Sequence, residues 1–208
     1  MRLKSLRSIL IVSFILILPG ILFPLETARA LSVSSQPGDF PDLLTFVEQV
    51  KNDQAGELRG LYVPELFAIS VVQQPIGDPE FVSPRHNILT QFGLASRFGS
   101  TGLLAHNYLA GESFAILKEV QIIHLVYGDG AVATFFVTEI LEYQALEPDS
   151  TTSHFINFQD GALLSAPALF SEVYSIEGRV ILQTCISKGN QLNWGRLFVI
   201  AEPYTAAP

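Results

Sequence analysis

The stretch VILQTCISKGNQLNWGRLFVIA, residues 180–201, indicates the fold class. An apolar, β-branched run at 180–185 is followed by the polar segment 187–193 and by a second apolar run that opens at Arg196. Short runs of this composition on either side of a turn signal predict two β-strands. Consecutive strands joined by one loop tend to pair. We therefore expect Arg196 to lie near Cys185, the only cysteine of the chain.

The chain on the amino-terminal side of this stretch follows the same pattern. Short apolar runs alternate with turn signals, and Asp129-Gly130 between two runs predicts a hairpin. Apolar residues at helical spacing in 40–50 predict one amphipathic helix, and 113–118 predicts a single helical turn. Many short strands in one domain indicate a closed barrel or a sandwich, and the pattern alone does not separate them. The predicted strands are 58–63, 67–72, 121–127, 133–141, 180–185 and 196–201.

Composition excludes several classes of protein. A length of 208 residues with 49% hydrophobic residues predicts one folded domain rather than a disordered chain. The net charge is −8, and no basic block follows the first ten residues, which argues against nucleic acid as a partner. One cysteine excludes an internal disulfide framework and a four-cysteine zinc site. We predict no cofactor and no metal.

The first thirty residues have the parts of a secretory signal. Three basic residues within the first seven precede the apolar stretch 8–25, and Ala28 and Ala30 form a signal-peptidase site. Residues 1–30 are therefore predicted to be a signal peptide cut after Ala30. The alternative is an uncleaved signal anchor, because a bilayer span needs only ~20 apolar residues. The protein is expected outside the cell or on its surface, and attached to the membrane only if this segment stays uncleaved.

Cleavage would leave an acidic domain with one thiol. Residues 1–30 carry four basic residues and one acidic residue, so the mature chain has a net charge of −11. The Pro/Gly-containing segment 31–39 is a predicted linker, and 40–208 is the predicted functional domain. An unpaired cysteine in an exported protein is a candidate reactive group.

A thiolate nucleophile needs a general base and a group that stabilises negative charge. Spacing does not choose among the histidines and arginines, but local context favours His106, which lies between an apolar run and a polar turn. His124 lies inside a predicted strand and suits a structural role. The other candidates of these two types are His86, His154, Arg59, Arg85, Arg97, Arg179 and Arg196.

Several segments together resemble sortases. Ile181-Leu182-Gln183-Thr184-Cys185 resembles their T-L-x-T-C strand, with Arg196 eleven residues later at a strand start. Leu104-Ala105-His106-Asn107 resembles their G-H-N segment. The stretch from Phe114 to 126 resembles F-x-x-L-x-x-G-D-x-I, and 135–137 resembles Y-x-V. Departures at Ala105, Ile181 and Val120-Gln121 indicate a divergent member.

The resemblance implies a fold and a reaction. The fold is mostly β, a single closed barrel of about eight strands with one or two short helices. Cys185 is the implied nucleophile, His106 the general acid/base, and Arg196 the oxyanion and positioning group. Thr184 is an implied neighbour of the substrate. The implied partners are an exported protein with a C-terminal sorting motif and an amine acceptor, a cell-wall precursor or a pilin subunit.

Other interpretations remain open. Trp194 follows the loop after Cys185 and either lines a substrate groove or fills a core edge. An L,D-transpeptidase is disfavoured because Gln183-Thr184 precedes Cys185 where that family has a His-Gly pair. The domain could act as a hydrolase if no amine acceptor is used. It could also be a non-catalytic secreted binding module on the same barrel.

Overall fold

The computed structural model describes residues 40–205, which form strands and short helices. The predicted signal segment 1–30, the predicted linker 31–39 and residues 206–208 lie outside the described residues. The helices are α1 (Leu43–Val50), α2 (Gly93–Arg97), α3 (Ala166–Tyr174) and a 3-10 helix (Ala110–Ile116). The strands are β1 (Leu58–Val63), β2 (Phe67–Gln73), β3 (Ile88–Phe92), β4 (Thr101–Leu104), β5 (Ile122–Tyr127), β6 (Val132–Ala145), β7 (His154–Asn157), β8 (Leu163–Ser165), β9 (Val180–Lys188) and β10 (Gln191–Pro203).

Eight strands close into a barrel. Their order is β10-β9-β4-β3-β2-β1-β5-β6, and β6 pairs with β10 to complete the ring. The hairpin β7–β8 continues the sheet from β6 outside this ring. The closed arrangement selects the barrel over the sandwich, and it confirms a mostly β fold with about eight barrel strands and few short helices.

The β9–β10 hairpin is longer than the sequence pattern predicts. The segment 187–193 was expected to be a loop, with a strand opening at Arg196. Instead Lys188 and Gln191 are paired, and the turn is confined to Gly189 and Asn190. Gly189 has a φ of 60°, a left-handed conformation that glycine adopts without strain. Arg196 therefore lies within β10 rather than at its start.

Three apolar clusters form the core of residues 40–205, one inside the barrel, one under α3 and a smaller one under α1. Leu103, Leu182 and Val199 belong to the interior of the barrel, whereas Ile181 and Phe198 belong to a second core on its outer face, under α3. Side chains alternate between faces along a strand. On β9, Thr184 therefore faces the interior, and Gln183 and Cys185 share the outer face with Ile181.

The helix α1 covers part of the barrel where the sequence predicts it. The carboxylate of Asp42 accepts a hydrogen bond from the Thr45 amide at 2.8 Å and caps the helix. Phe46 packs against Gly60 of β1, where a β-carbon would collide with its ring. No helix within residues 40–205 has the length and apolar character needed to cross a membrane.

Candidate active site

Cys185 and Arg196 are direct partners in the antiparallel β9–β10 ladder. Directly opposite residues have Cα atoms about 4.5–5.5 Å apart and project their side chains from the same face. Cys185 is a free, partly exposed thiol on the outer face. The ladder therefore places the backbones of Cys185 and Arg196 side by side, as the order of the two runs predicts.

His106 follows the strand on the other side of β9. β4 runs parallel to β9 with Leu104 opposite Gln183, and the Ala105 amide continues the ladder by donating to the Gln183 carbonyl at 3.2 Å. Continued by two residues, the same register brings His106 level with Cys185. Neighbouring strands are about 4.8 Å apart. Cys185 is thus flanked by Arg196 of β10 on one side and by the segment that leads from β4 to His106 on the other.

The loop that carries His106 is held at several points. The Thr184 hydroxyl donates to the Ala105 carbonyl at 2.9 Å, one residue before Cys185. The His106 carbonyl accepts hydrogen bonds from the amides of Leu109 and Gly111, both at 3.0 Å. The Asn107 side chain donates to the Leu192 carbonyl of β10 at 2.7 Å. The backbone of His106 is therefore anchored to both strands of the hairpin that carries Cys185 and Arg196.

Gly111 lets the 3-10 helix approach this anchor closely. A β-carbon at this position would collide with the Thr184 side chain and with the His106 carbonyl. The imidazole of His106 stacks on the ring of Tyr108, with ring centroids 5.2 Å apart and planes 18° apart. The stack covers one face of the imidazole and leaves its edge for hydrogen bonding.

The guanidinium of Arg196 is fixed at one end. Its Nη1 donates to the carbonyls of Asn193 and Gly195, both at 2.9 Å, and Phe155 lies 5.9 Å from its central carbon. Within residues 40–205, no carboxylate lies within 4.0 Å of it. Its Nε and Nη2 make no hydrogen bond to the described residues, so they are available to a ligand.

A groove of about 300 Å³ lies on the outer face of the sheet, and its lining includes Arg196 of β10 and Gln183 of β9 but neither Cys185 nor His106. Its lining is mainly aromatic and apolar, with Gln183 near the Cys185 end and Phe92 at the other. The hydroxyl of Tyr174 donates to the Gln183 side chain, and burial raises the pKa of this phenol. The remaining lining residues are Ser150, Thr151, Phe155, Ala166, Leu169, Phe170, Tyr174 and Phe198.

The two predicted substrate contacts lie elsewhere. Thr184 is only 4% exposed, and its hydroxyl is engaged with Ala105, so the geometry favours a positioning role over substrate contact. Trp194 packs against Phe158, with ring centroids 5.5 Å apart. The ammonium of Lys188 lies over the Trp194 ring, 4.4 Å from its centroid. Trp194 does not line the 300 Å³ groove, and its part in binding stays a prediction.

The remaining histidines lie away from the thiol. His124 is on β5, where its Nδ1 is 3.0 Å from the Thr134 hydroxyl and burial lowers its pKa. This geometry agrees with the structural role that its strand position predicts. His86 and His154 are exposed, the first in the β2–β3 loop and the second at the start of β7.

Sequence reasoning missed the parts of the site that come from distant segments. The aromatic groove depends on α3, which was not predicted although Ser165 caps it and Pro167 follows at its start. Asn107 and Gly111 stand next to the predicted His106, but nothing in the sequence indicates that they contact Leu192 and Thr184.

The fold is a closed β-barrel in which Cys185 and Arg196 are partners on adjacent strands and His106 follows the strand on the other side of β9. No protein-family model matches the chain, and no curated protein matches it. Solved structures to which this chain is similar include sortases, the family that the sequence motifs resemble.

Three of these structures come from different bacteria. Sortase A of Listeria monocytogenes is 14% identical, with a TM-score of 0.45 over 71% of this chain and 86% of that one. Sortase C-1 of Actinomyces oris is 13% identical, with a TM-score of 0.49 over 81% and 83%. Sortase C1 of Streptococcus suis is 13% identical, with a TM-score of 0.49 over 79% of each chain.

Proposed function

We propose that the protein is an exported, sortase-like cysteine transpeptidase. The observation that supports this most strongly is that Arg196 is the ladder partner of Cys185, while β4, which pairs with the other side of β9, ends two residues before His106. A thiol, an imidazole and a guanidinium are the groups that acyl transfer through a thioester needs.

The proposed reaction has two acyl-transfer steps. The Cys185 thiolate attacks the carbonyl carbon of a threonine residue in the substrate, and the free N–H groups of Arg196 stabilise the oxyanion. The C–N bond then breaks as His106 gives a proton to the leaving amine, which leaves a thioester on Cys185. An incoming amine attacks this thioester, His106 accepts its proton, and the thiolate departs as the new amide forms. Hydrolysis follows the same course with water as the nucleophile.

The partners and the location belong to the same proposal. The substrate is an exported protein that carries a sorting motif near its C-terminus, and the acceptor is an amine on a cell-wall precursor or a pilin subunit. The reaction takes place outside the cell or at its surface, after export directed by residues 1–30. The signal-like composition of that segment and the acidic character of the domain support this location.

The test combines a chemical trap with matched variants. Purified protein without residues 1–30 is incubated with a pool of threonine-containing peptides, and intact mass reports a thioacyl adduct. We expect an adduct for the wild type, none for Cys185→Ala, and a loss of at least 100-fold in rate for His106→Ala and Arg196→Ala, as for other general acid–base or oxyanion groups.

The control variants separate chemistry from folding. His124→Ala removes a histidine of the same barrel that lies away from Cys185, and it should keep the adduct. Adduct formation in Cys185→Ala would refute the mechanism. Protection of Cys185 from iodoacetamide until the protein unfolds would favour the non-catalytic binding module.

A further inference from the structure

The aromatic groove beside Arg196 does not end at Phe92. Phe92 also lines a second hollow of about 530 Å³, formed by α2 and the loop 74–79, which we call the outer hollow. Phe98, directly after α2, is 48% exposed and contacts Phe170 of the groove with ring centroids 5.1 Å apart. The two hollows therefore share a wall and a run of exposed apolar surface.

One side chain, that of Gln74, joins the loop and the helix that form the outer hollow. The Gln74 amide nitrogen donates to the carbonyls of Pro79 and Phe81, at 2.9 and 3.1 Å, and its oxygen accepts from the Gly93 amide at 3.1 Å. These bonds tie the loop to the start of α2. A site formed before its ligand arrives loses less conformational entropy on binding.

Charge distinguishes these hollows from the rest of the domain. Among residues 40–205, the charged residues that line them are two arginines, Arg97 in the outer hollow and Arg196 in the groove. Asp78 and Glu80 belong to the neighbouring loop but do not line either hollow. The chain has a net charge of −8, whereas this apolar surface carries an arginine near each end. Such a surface favours a ligand that is apolar in the middle and acidic at one end.

The spacing of the strands sets the length of that ligand. Phe92 is opposite Gly102 on β4, and Gly102 is opposite Ile181 on β9, four residues before Cys185. Two strand spacings and four residues of rise put Phe92 about 16 Å from Cys185, or about five residues of extended peptide. Arg97 lies about one helical turn beyond, so it would meet a side chain about five to seven residues from the scissile bond.

We infer that the groove and the outer hollow together bind an extended segment of the acyl-transfer substrate, with apolar residues along the groove and an acidic residue at Arg97. The inference rests on the proposed function for its choice of substrate. It adds a recognition element distant from the reacting bond, so the substrate is read over a longer segment than the residues next to Cys185.

Binding is measured on the Cys185→Ala protein, which separates recognition from chemistry. The probes are fluorescein-labelled peptides with one Thr-Gly bond, a Leu/Phe spacer and either Glu or Lys six residues away. One series places the charge before the threonine and the other places it after. We expect the Glu peptide of one series to bind about 2–5-fold more tightly than its Lys counterpart, the range for an exposed ion pair, with the difference shrinking in 0.5 M salt.

The matched variants are charge reversals of two exposed arginines. Arg97→Glu should invert the preference between Glu and Lys peptides, whereas Arg85→Glu, outside both hollows, should leave it unchanged. Leu94→Asp, at the apolar edge of the outer hollow, should weaken both peptides. Equal binding of Glu and Lys peptides in both series, or equal effects of the two reversals, would overturn the inference.

Its failure can be told apart from failure of the proposed function. A charge preference that depends on Arg97, in a protein whose wild type forms no thioacyl adduct, would retain the binding site and reject the enzyme. An adduct without any charge preference would retain the enzyme and reject the outer hollow as a recognition site.

Discussion

Replacing Thr184 with valine removes one hydroxyl and keeps the shape of the side chain. In the wild type this hydroxyl is the hydrogen-bond donor to the Ala105 carbonyl at 2.9 Å, and Thr184 is 4% exposed. Ala105 is 7% exposed, so its carbonyl would lose its partner in a place that water does not reach easily. Leaving a buried acceptor unsatisfied costs about 1–3 kcal/mol. Thr184→Val should lower the free energy of unfolding by that amount.

The free energy of unfolding is measured by guanidinium denaturation, and Tm is measured separately by thermal unfolding. For a domain of this size each kcal/mol corresponds to roughly 2–4 °C in Tm, so a decrease of about 2–12 °C is expected. Thr134→Val serves as the control, because the Thr134 hydroxyl is hydrogen-bonded to His124 of β5, in another part of the barrel.

The same substitution tests the coupling between the loop and the thiol. Ala105 precedes His106, so a loosened loop should slow thioacyl formation more than Thr134→Val does. A Thr184→Val protein with unchanged stability would refute the role of this hydrogen bond. Lost stability with an unchanged rate would show that the anchor supports the fold without positioning His106.

Three further substitutions give independent tests. Gly111→Ala introduces the β-carbon that collides with Thr184, and it should cost about 1–3 kcal/mol in chemical unfolding, as overpacking does. Burial lowers the pKa of His124 below its ordinary value of 6.5, so the unfolded state binds more protons than the folded state as the pH falls below about 6.5. The free energy of unfolding of the wild type therefore decreases as the pH falls. Between pH 7.5 and 5.5, His124→Gln should lose less stability than the wild type. Arg179 forms a surface ion pair with β10 at 2.7 Å, so Arg179→Ala should cost at most about 1 kcal/mol and keep thioacyl formation, in contrast to Arg196→Ala.

The pairing of Cys185 with Arg196 was predictable because the two strands are consecutive and one short turn joins them. The exact register was not, since it depends on where the turn lies. The polar residues 187–193 resemble a loop in composition, yet Lys188 and Gln191 pair in the ladder, and a register shift separates Gln191 from the next pair at Gly195. Polar character therefore placed the start of β10 five residues too late.

Local context favours His106 among the histidines and the family resemblance assigns its role, but neither predicts that it follows a strand paired with β9. Its neighbour on the sheet is 79 residues away in sequence, and β4 is only four residues long within a stretch of turn-like composition. Strands this short are stabilised by their neighbours rather than by their own propensity. The strands β3, β7 and β8 were missed for the same reason.

The parallel pairing of β4 with β9 also has a consequence for how the protein folds. β4 and β9 are separated in sequence by every strand and helix from β5 to α3. The chain must therefore close a long loop before His106 reaches its neighbours. Contacts so distant in sequence form slowly, because the entropy of loop closure is lost before the contacts form. The β9–β10 hairpin, by contrast, can form locally. Refolding should therefore restore the proximity of Cys185 and Arg196 early, and the complete cluster only in the step that closes the barrel.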